Sequence, residues 1–194
     1  AGVIFISERA RTRYLENTVQ PNQKSVVIPH AFPFTSPPRS KSAMTNPIKF
    51  IAAGRMVPKK GFSDLVEAAI RLGSRSDEFN LTIYGDGPEY TKLENMKAAA
   101  KSQNIFLPGW TQELDKELSD SNVFCLPSHL EPFGLVLGEA MSKSLPVIAA
   151  KTDGSSPVFG FQDPEARGGV LYDPGDVSSL AQHMERVLIE PAFF

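Results

Sequence analysis

Ile48-Lys49-Phe50-Ile51-Ala52-Ala53 runs directly into Gly54-Arg55-Met56-Val57-Pro58-Lys59-Lys60-Gly61, and the reading of this passage decides the fold. Six residues, apolar apart from Lys49, read as a buried strand, and the glycine and basic residues after them read as a loop. Phe62, Leu65, Val66, Ala69 and Ile70 then form one apolar stripe at helical spacing, which predicts a helix over 63–72 with Ser63 capping its start and Gly73 its end. The same strand-loop-helix grammar repeats downstream. Strands are expected at 81–84, 105–107, 122–126, 147–149 and 170–172, and helices at 88–102, 111–119, after Gly134 and at 176–188. Pro88 suits a first helical position, and Leu93, Met96 and Ala100 share one face. Such alternation predicts an α/β fold with a Rossmann-like, doubly wound parallel sheet.

Upstream of this passage the pattern changes. A strand at 3–6, a helix at 8–17 and a strand-like run at 26–28 come first; Pro33, Pro37 and Pro38 then stand among Ser, Thr, Lys and Arg. That composition predicts an extended linker. The expected division is therefore 1–28 as a small remnant of another domain, 29–47 as a linker and 48–194 as the Rossmann-like domain. At 194 residues the chain is long enough for a substantial core, and its net charge of -2, without a sustained basic run, argues against nucleic acid as a partner. Cys125, flanked by Val123, Phe124 and Leu126, is the single cysteine, which excludes an intramolecular disulfide and points to a reducing compartment. The apolar start of the chain is far too short to span a membrane.

The unusual polar residues follow the carboxyl ends of the strands, the rim where open parallel sheets bind ligands. The densest is Ser128-His129-Leu130-Glu131-Pro132-Phe133-Gly134-Leu135-Val136-Leu137-Gly138-Glu139-Ala140, a loop that becomes a helix. Glu131 precedes the free N–H groups of Phe133, Gly134 and Leu135, and Glu139 lies about 7 Å further along the axis. Glu139 is also about 200° around the helix from Leu137, off the core face. Two acceptors thus flank an anion-binding helix start, with Gly134 allowing close approach. Each carboxylate has a plain alternative: Glu139 as a solvated helix residue, Glu131 as a charge favourably placed before a helix.

Other loops add donors. Gly54, Arg55 and Lys60 combine a flexible turn, a forked guanidinium and a mobile ammonium, which suits a diphosphate; the alternative is a solvated basic loop. Gly85-Asp86-Gly87-Pro88 is partway to a dinucleotide fingerprint, yet Tyr90 fills the third glycine's place, which weakens a nicotinamide reading and leaves a tight turn as the alternative. Trp110 can stack on a base or cap the sheet rim. His129 neighbours Glu131 and can reach a ligand, although loop histidines are commonly bystanders. His30 and His183 read as structural or solvated. No His, Cys and carboxylate cluster has metal-ligand spacing, and no Ser lies in a nucleophile-elbow sequence.

In order and spacing, Gly54-Arg55 with Lys60-Gly61, Gly85-Asp86-Gly87-Pro88, Pro127-Ser128, the Glu131 to Glu139 pair and Gly169-Val170-Leu171-Tyr172-Asp173-Pro174 resemble the C-terminal, nucleotide-sugar-binding half of a GT-B retaining glycosyltransferase of family 4, the glycosyl transferases group 1. The resemblance covers nearly the whole chain. It implies transfer of a hexose from a nucleoside-diphosphate sugar, UDP by default, to an acceptor hydroxyl with retention, and without a metal. It assigns catalysis to Arg55, Lys60 and Glu131. Arg55 and Lys60 would hold the diphosphate, Glu131 the transferred sugar and Glu139 the ribose, with backbone N–H groups from Phe133 to Leu135 assisting. Gly54, Gly85, Trp110, His129 and Gly134 complete the expected donor site.

The resemblance also implies that residues 1–28 are the last elements of an acceptor-binding domain, and that the acceptor, a glycan or glycolipid, is met through the remainder of that domain. The isolated chain is then expected to bind donor better than it turns it over. A cytoplasmic location is implied, with any membrane association of the parent lying outside this segment. His30 stands where the family usually has Asn. Asp153-Gly154-Ser155-Ser156-Pro157-Val158 lacks the glutamate of the family's Gly-Gly-x-Pro-Glu loop, so the resemblance carries no sugar contact to it. A non-catalytic nucleotide-sugar-binding module and a sugar-nucleotide epimerase of the same fold remain alternatives, with a phosphorylase further off.

Overall fold

The apolar run that opens the sheet forms β3 (Ile48–Ala53), buried at every position but Lys49. In the computed structural model, which describes residues 2–5, 8–18, 24–28, 46–75, 77–155 and 168–190, it is the inner strand from which the domain winds in both directions. The chain passes through α2 (Phe62–Arg71) to β4 (Phe79–Tyr84), then α3 (Tyr90–Ala99) to β5 (Ile105–Gly109). It then crosses by α4 (Leu114–Ser119) to the other side of β3. There β6 (Val123–Leu126), α5 (Leu135–Ser142), β7 (Val147–Ala150), β8 (Gly169–Tyr172) and α6 (Val177–Ile189) follow. The six parallel strands stand in the order β5-β4-β3-β6-β7-β8. Successive strands wind outward from a reversal between β3 and β6, where such sheets open a crevice.

Both faces of this sheet are covered, which is why β3, β6 and β7 are apolar at every position but Lys49 rather than alternating. Phe50, Leu81, Ile83 and Val123 point to the face packed by α2, α3 and α6. Ile51, Phe124, Leu126 and Val147 point to the face packed by α4 and α5. Phe50 meets Phe79 edge to face at 5.8 Å, and fully burying side chains of this size contributes about 2–3 kcal/mol each. Cys125 is buried in β6 and burial pushes its thiol well up.

Before this domain, β1 (Val3–Phe5) and β2 (Ser25–Val27) pair in parallel with α1 (Glu8–Asn17) between them. Residues 29–45 of the expected linker, His30 and positions 156–158 lie outside the described residues. Several helix ends depart from expectation for local reasons. Ser63 does not cap α2: Gly61, left-handed at φ 65°, takes that position, and Ser63 Oγ is buried without a partner among the described residues. Nor does Gly73 end it, because Leu72 closes the helix and Gly73 starts a short 3-10 turn. Helix α3 starts at Tyr90 rather than Pro88 because the Glu89 N–H donates to the Met56 carbonyl at 3.0 Å, tying that turn to the loop after β3. It stops short of 102 because Lys101 turns left-handed at φ 53°. Helix α4 starts at Leu114, three residues late, since the Thr111 hydroxyl accepts the Glu113 N–H in a preceding turn.

Candidate functional site

Parallel winding brings four strand ends to one rim, and a cavity of about 740 Å³ opens there at the reversal between β3 and β6. It receives Gly54, Arg55 and Lys60 from the loop after β3, Gly85 and Asp86 from the loop after β4, Trp110 and Thr111 from the loop after β5, and Glu131 from the loop after β6. Leu135, Val136 and Glu139 of α5 form a further wall.

On the side of the loops after β3 and β6, Lys60 Nζ donates to Glu131 Oε2 at 2.5 Å. Glu131 is 7% exposed, and its other oxygen accepts the Gly134 N–H at 3.3 Å, while the Ser128 hydroxyl lies 3.5 Å from Oε2. A carboxylate removed from water in this way needs a counter-charge and donors for its lone pairs, and the loop provides both. This arrangement changes the expected donor set at the start of α5. The Gly134 N–H is spent on Glu131. Phe133 has a partner of its own, and its backbone lies so close to Gly154 that a Cβ there would stand 2.5 Å from the Phe133 nitrogen. The N–H groups that find no acceptor among the described residues are those of Leu135 and Val136, one step further into the helix. Gly134 itself is needed for its left-handed conformation at φ 75°, and a Cβ there would meet its neighbours only at ordinary distances.

Arg55 and Glu139 face the cavity from opposite elements, and neither makes an ion pair or side-chain hydrogen bond among the described residues. A guanidinium fork and a carboxylate left free in one concavity can receive an anion and a hydroxylated ligand respectively.

The far end is aromatic. Trp110 is 70% exposed at the mouth, and Tyr84, the last residue of β4, stands behind it with Leu114 of α4. The Tyr84 hydroxyl donates to Glu117 at 2.6 Å, fixing the ring against α4. Burial and then that carboxylate hold its ionisation well above the ordinary tyrosine range. Gly85 allows its loop to lie flat on its neighbour: a Cβ there would fall 1.9 Å from the Gly54 carbonyl oxygen.

Of the residues singled out from sequence, Gly54, Arg55, Lys60, Gly85, Trp110, Glu131, Leu135 and Glu139 line this one cavity. His129, Phe133 and Gly134 do not; the His129 imidazole instead meets Asp64 of α2 at 2.5 Å. The sequence reading missed Ala53, Tyr84, Asp86, Thr111, Leu114 and Val136. All but Leu114 sit beside residues it had named, and Tyr84 carried a usable signal as a polar-tipped residue at the carboxyl end of a strand.

Comparison with known proteins follows the same outline. The family described as Glycosyl transferases group 1 matches residues 36–192. The 2-deoxystreptamine N-acetyl-D-glucosaminyltransferase of Niallia circulans is 31% identical over 159 residues, which are 80% of this chain and 39% of that protein. Among solved structures, the sucrose-phosphate synthase of Thermosynechococcus elongatus superposes with a TM-score of 0.79 at 26% identity, covering 98% of this chain and 49% of that one. A S. aureus TarM mutant, solved with fondaparinux, alpha-GlcNAc-glycerol and UDP, superposes with a TM-score of 0.85 at 24% identity, covering 99% and 38%. The chain thus spans less than half the length of each of these proteins.

Proposed function

Because the chain belongs to the glycosyl transferases of group 1, we propose that it forms the nucleotide-sugar donor site of a retaining hexosyltransferase, with UDP-sugar as the donor. The observation that carries this reading is that Arg55 and Glu139, whose side chains have no partner among the described residues, line one cavity at the reversal point of the sheet. Arg55 takes the diphosphate as a forked donor, Lys60 adds a point charge, and the free N–H groups of Leu135 and Val136 receive the remaining oxygens. Glu139 accepts from the ribose hydroxyls. Trp110 and Tyr84 flank the base, and that end is apolar enough for stacking.

When the bond between the anomeric carbon and the diphosphate oxygen breaks, negative charge grows on the leaving phosphate. Arg55, Lys60 and the helix start supply positive charge from the same cavity, which lets the reaction proceed without a divalent ion to absorb it. Glu131, held on both oxygens, contacts the hexose with a fixed orientation. The acceptor hydroxyl then attacks from the face the leaving group vacates and passes its proton to an oxygen of the departing diphosphate, which retains configuration. The acceptor, a glycan or glycolipid, is presented by a second domain of which β1, α1 and β2 are the adjoining part. The S. aureus TarM structure that holds UDP has this fold over almost the whole of the present chain, which supports the choice of ligand.

Calorimetric titration with UDP, GDP, ADP and TDP tests the reading directly. Arg55→Ala should weaken every diphosphate by roughly tenfold to a hundredfold, the range of a hydrogen bond to a charged group. Glu139→Ala should weaken UDP and leave inorganic pyrophosphate unchanged. Absence of any response to all four nucleotides, in a sample shown to be folded, would sink the proposal.

A further inference from the structure

His129 was a candidate ligand contact by sequence, yet its ring turns away from the cavity lining and meets the Asp64 carboxylate at 2.5 Å. The surroundings of that pair are unusual for a surface contact. The Lys59 carbonyl accepts from the N–H groups of both His129, at 2.9 Å, and Leu130, at 3.2 Å. Two residues on, Gly61 passes so close to the other loop that a Cβ would stand 2.0 Å from the Pro127 carbonyl oxygen and 3.3 Å from His129 Cδ2, at a φ of 65° that already favours glycine. The Gly61 carbonyl in turn accepts the Asp64 N–H at 3.0 Å, which fixes Asp64 in the first turn of α2.

Two side-chain pairs therefore bracket the same short stretch. Lys60 reaches across to Glu131 on the cavity side, and Asp64 reaches across to His129 on the outer side. His129 and Glu131 are two residues apart in one loop; Lys60 and Asp64 are four apart across Gly61. With the loop backbones already stitched through Lys59, the outer pair removes the remaining freedom of the 59–61 segment to slide or rotate against 127–131. A lysine on a four-carbon stem has much rotamer entropy to lose, so its usefulness to a phosphate depends on how firmly its backbone is held.

We propose that His129 and Asp64 are positioning residues for Lys60: a clasp between the loops after β3 and β6 that raises affinity for the diphosphate without touching it. This rests on the donor-site reading above. An exposed pair with no such role would contribute little to stability and nothing selective to binding.

The test is a double-mutant cycle read by calorimetric titration of UDP and of uridine, which keeps the base and ribose but has no phosphate. His129→Ala should weaken UDP by about fivefold, within the usual range for coupled neighbours, and leave uridine unchanged. His129→Gln, whose amide can still donate to Asp64, should retain most of the wild-type affinity. In a Lys60→Ala background, His129→Ala should cause no further loss. Full additivity in that background, or equal losses for UDP and uridine, would overturn the clasp while leaving the donor site standing. A folded wild type that binds no UDP would remove the donor site and the clasp with it.

Discussion

At one end of the cavity Lys60 and Glu131 keep only 20% and 10% of their side chains exposed and meet at 2.5 Å, whereas at the other end Trp110 leaves 70% of its surface open. The contrast follows from what each kind of group costs in the absence of ligand. Charges taken out of water must be paired in advance, or the fold carries an uncompensated desolvation cost of several kcal/mol. An indole face exposed to water is tolerated with no partner at all. The Lys60–Glu131 pair is therefore built into the stability of the domain, and the Trp110 indole is available to binding alone.

The largest effect that would break this contrast is at Glu131. Glu131→Ala leaves the Lys60 ammonium largely buried without its counter-charge, and urea denaturation should show a loss of about 3 kcal/mol. A loss below about 1 kcal/mol would mean that the pair behaves as a solvated surface contact and that the two ends do not differ in kind. Trp110→Ala should do the reverse. Its effect on the unfolding free energy measured in urea should stay within about 0.5 kcal/mol, while UDP and uridine should both weaken by roughly tenfold, the scale of one lost stacking contact. A matching loss of stability would show that Trp110 packs the rim instead.

The smallest effect sharpens the boundary between the ends. Tyr84 belongs to the aromatic wall, yet its hydroxyl is tied to Glu117 and its ionisation is held upward, first by burial. A group whose folded ionisation lies above its unfolded value contributes stability below the unfolded value, near pH 10, and loses it as pH rises. In wild type the urea midpoint should therefore fall above about pH 10, and in Tyr84→Phe that fall should be shallower. Buried Tyr172, also held upward by burial, contributes equally to both proteins, so the difference between the curves isolates Tyr84. Identical slopes would remove the hydroxyl from the account.

Much of the architecture was legible in the chain itself. Helix α1 and strand β3 occupy the expected residues, and the remaining strands fall within a few residues of their expected positions, because apolar spacing reports directly which side of an element leaves water. Helix boundaries were less legible where a long-range contact overrode a local signal. Ser63 has the chemistry of a cap, but the demand at that point is for a left-handed residue lying against the Pro127 carbonyl, and Gly61 alone satisfies it. Periodicity likewise placed Glu139 off the core face, and the side chain does reach the cavity. No local signal could assign Gly134's N–H to Glu131, since that bond depends on how the loop folds back before α5 starts.

The sequence alone determined a strand-helix alternation and a set of polar loops at strand ends, since both follow from short-range periodicity and the chemistry of individual residues. Only the tertiary structure decided that the loops after β3 and β6 are neighbours. The strand order reverses between them, so Lys60 and Glu131, 71 residues apart in the chain, meet in one ion pair. It also decided that His129 faces Asp64 rather than a ligand, and that the free helix donors begin at Leu135. The physical reason is the same in each case. A polar group's role is set by which partner satisfies it first, and that partner is supplied by packing between segments distant in sequence.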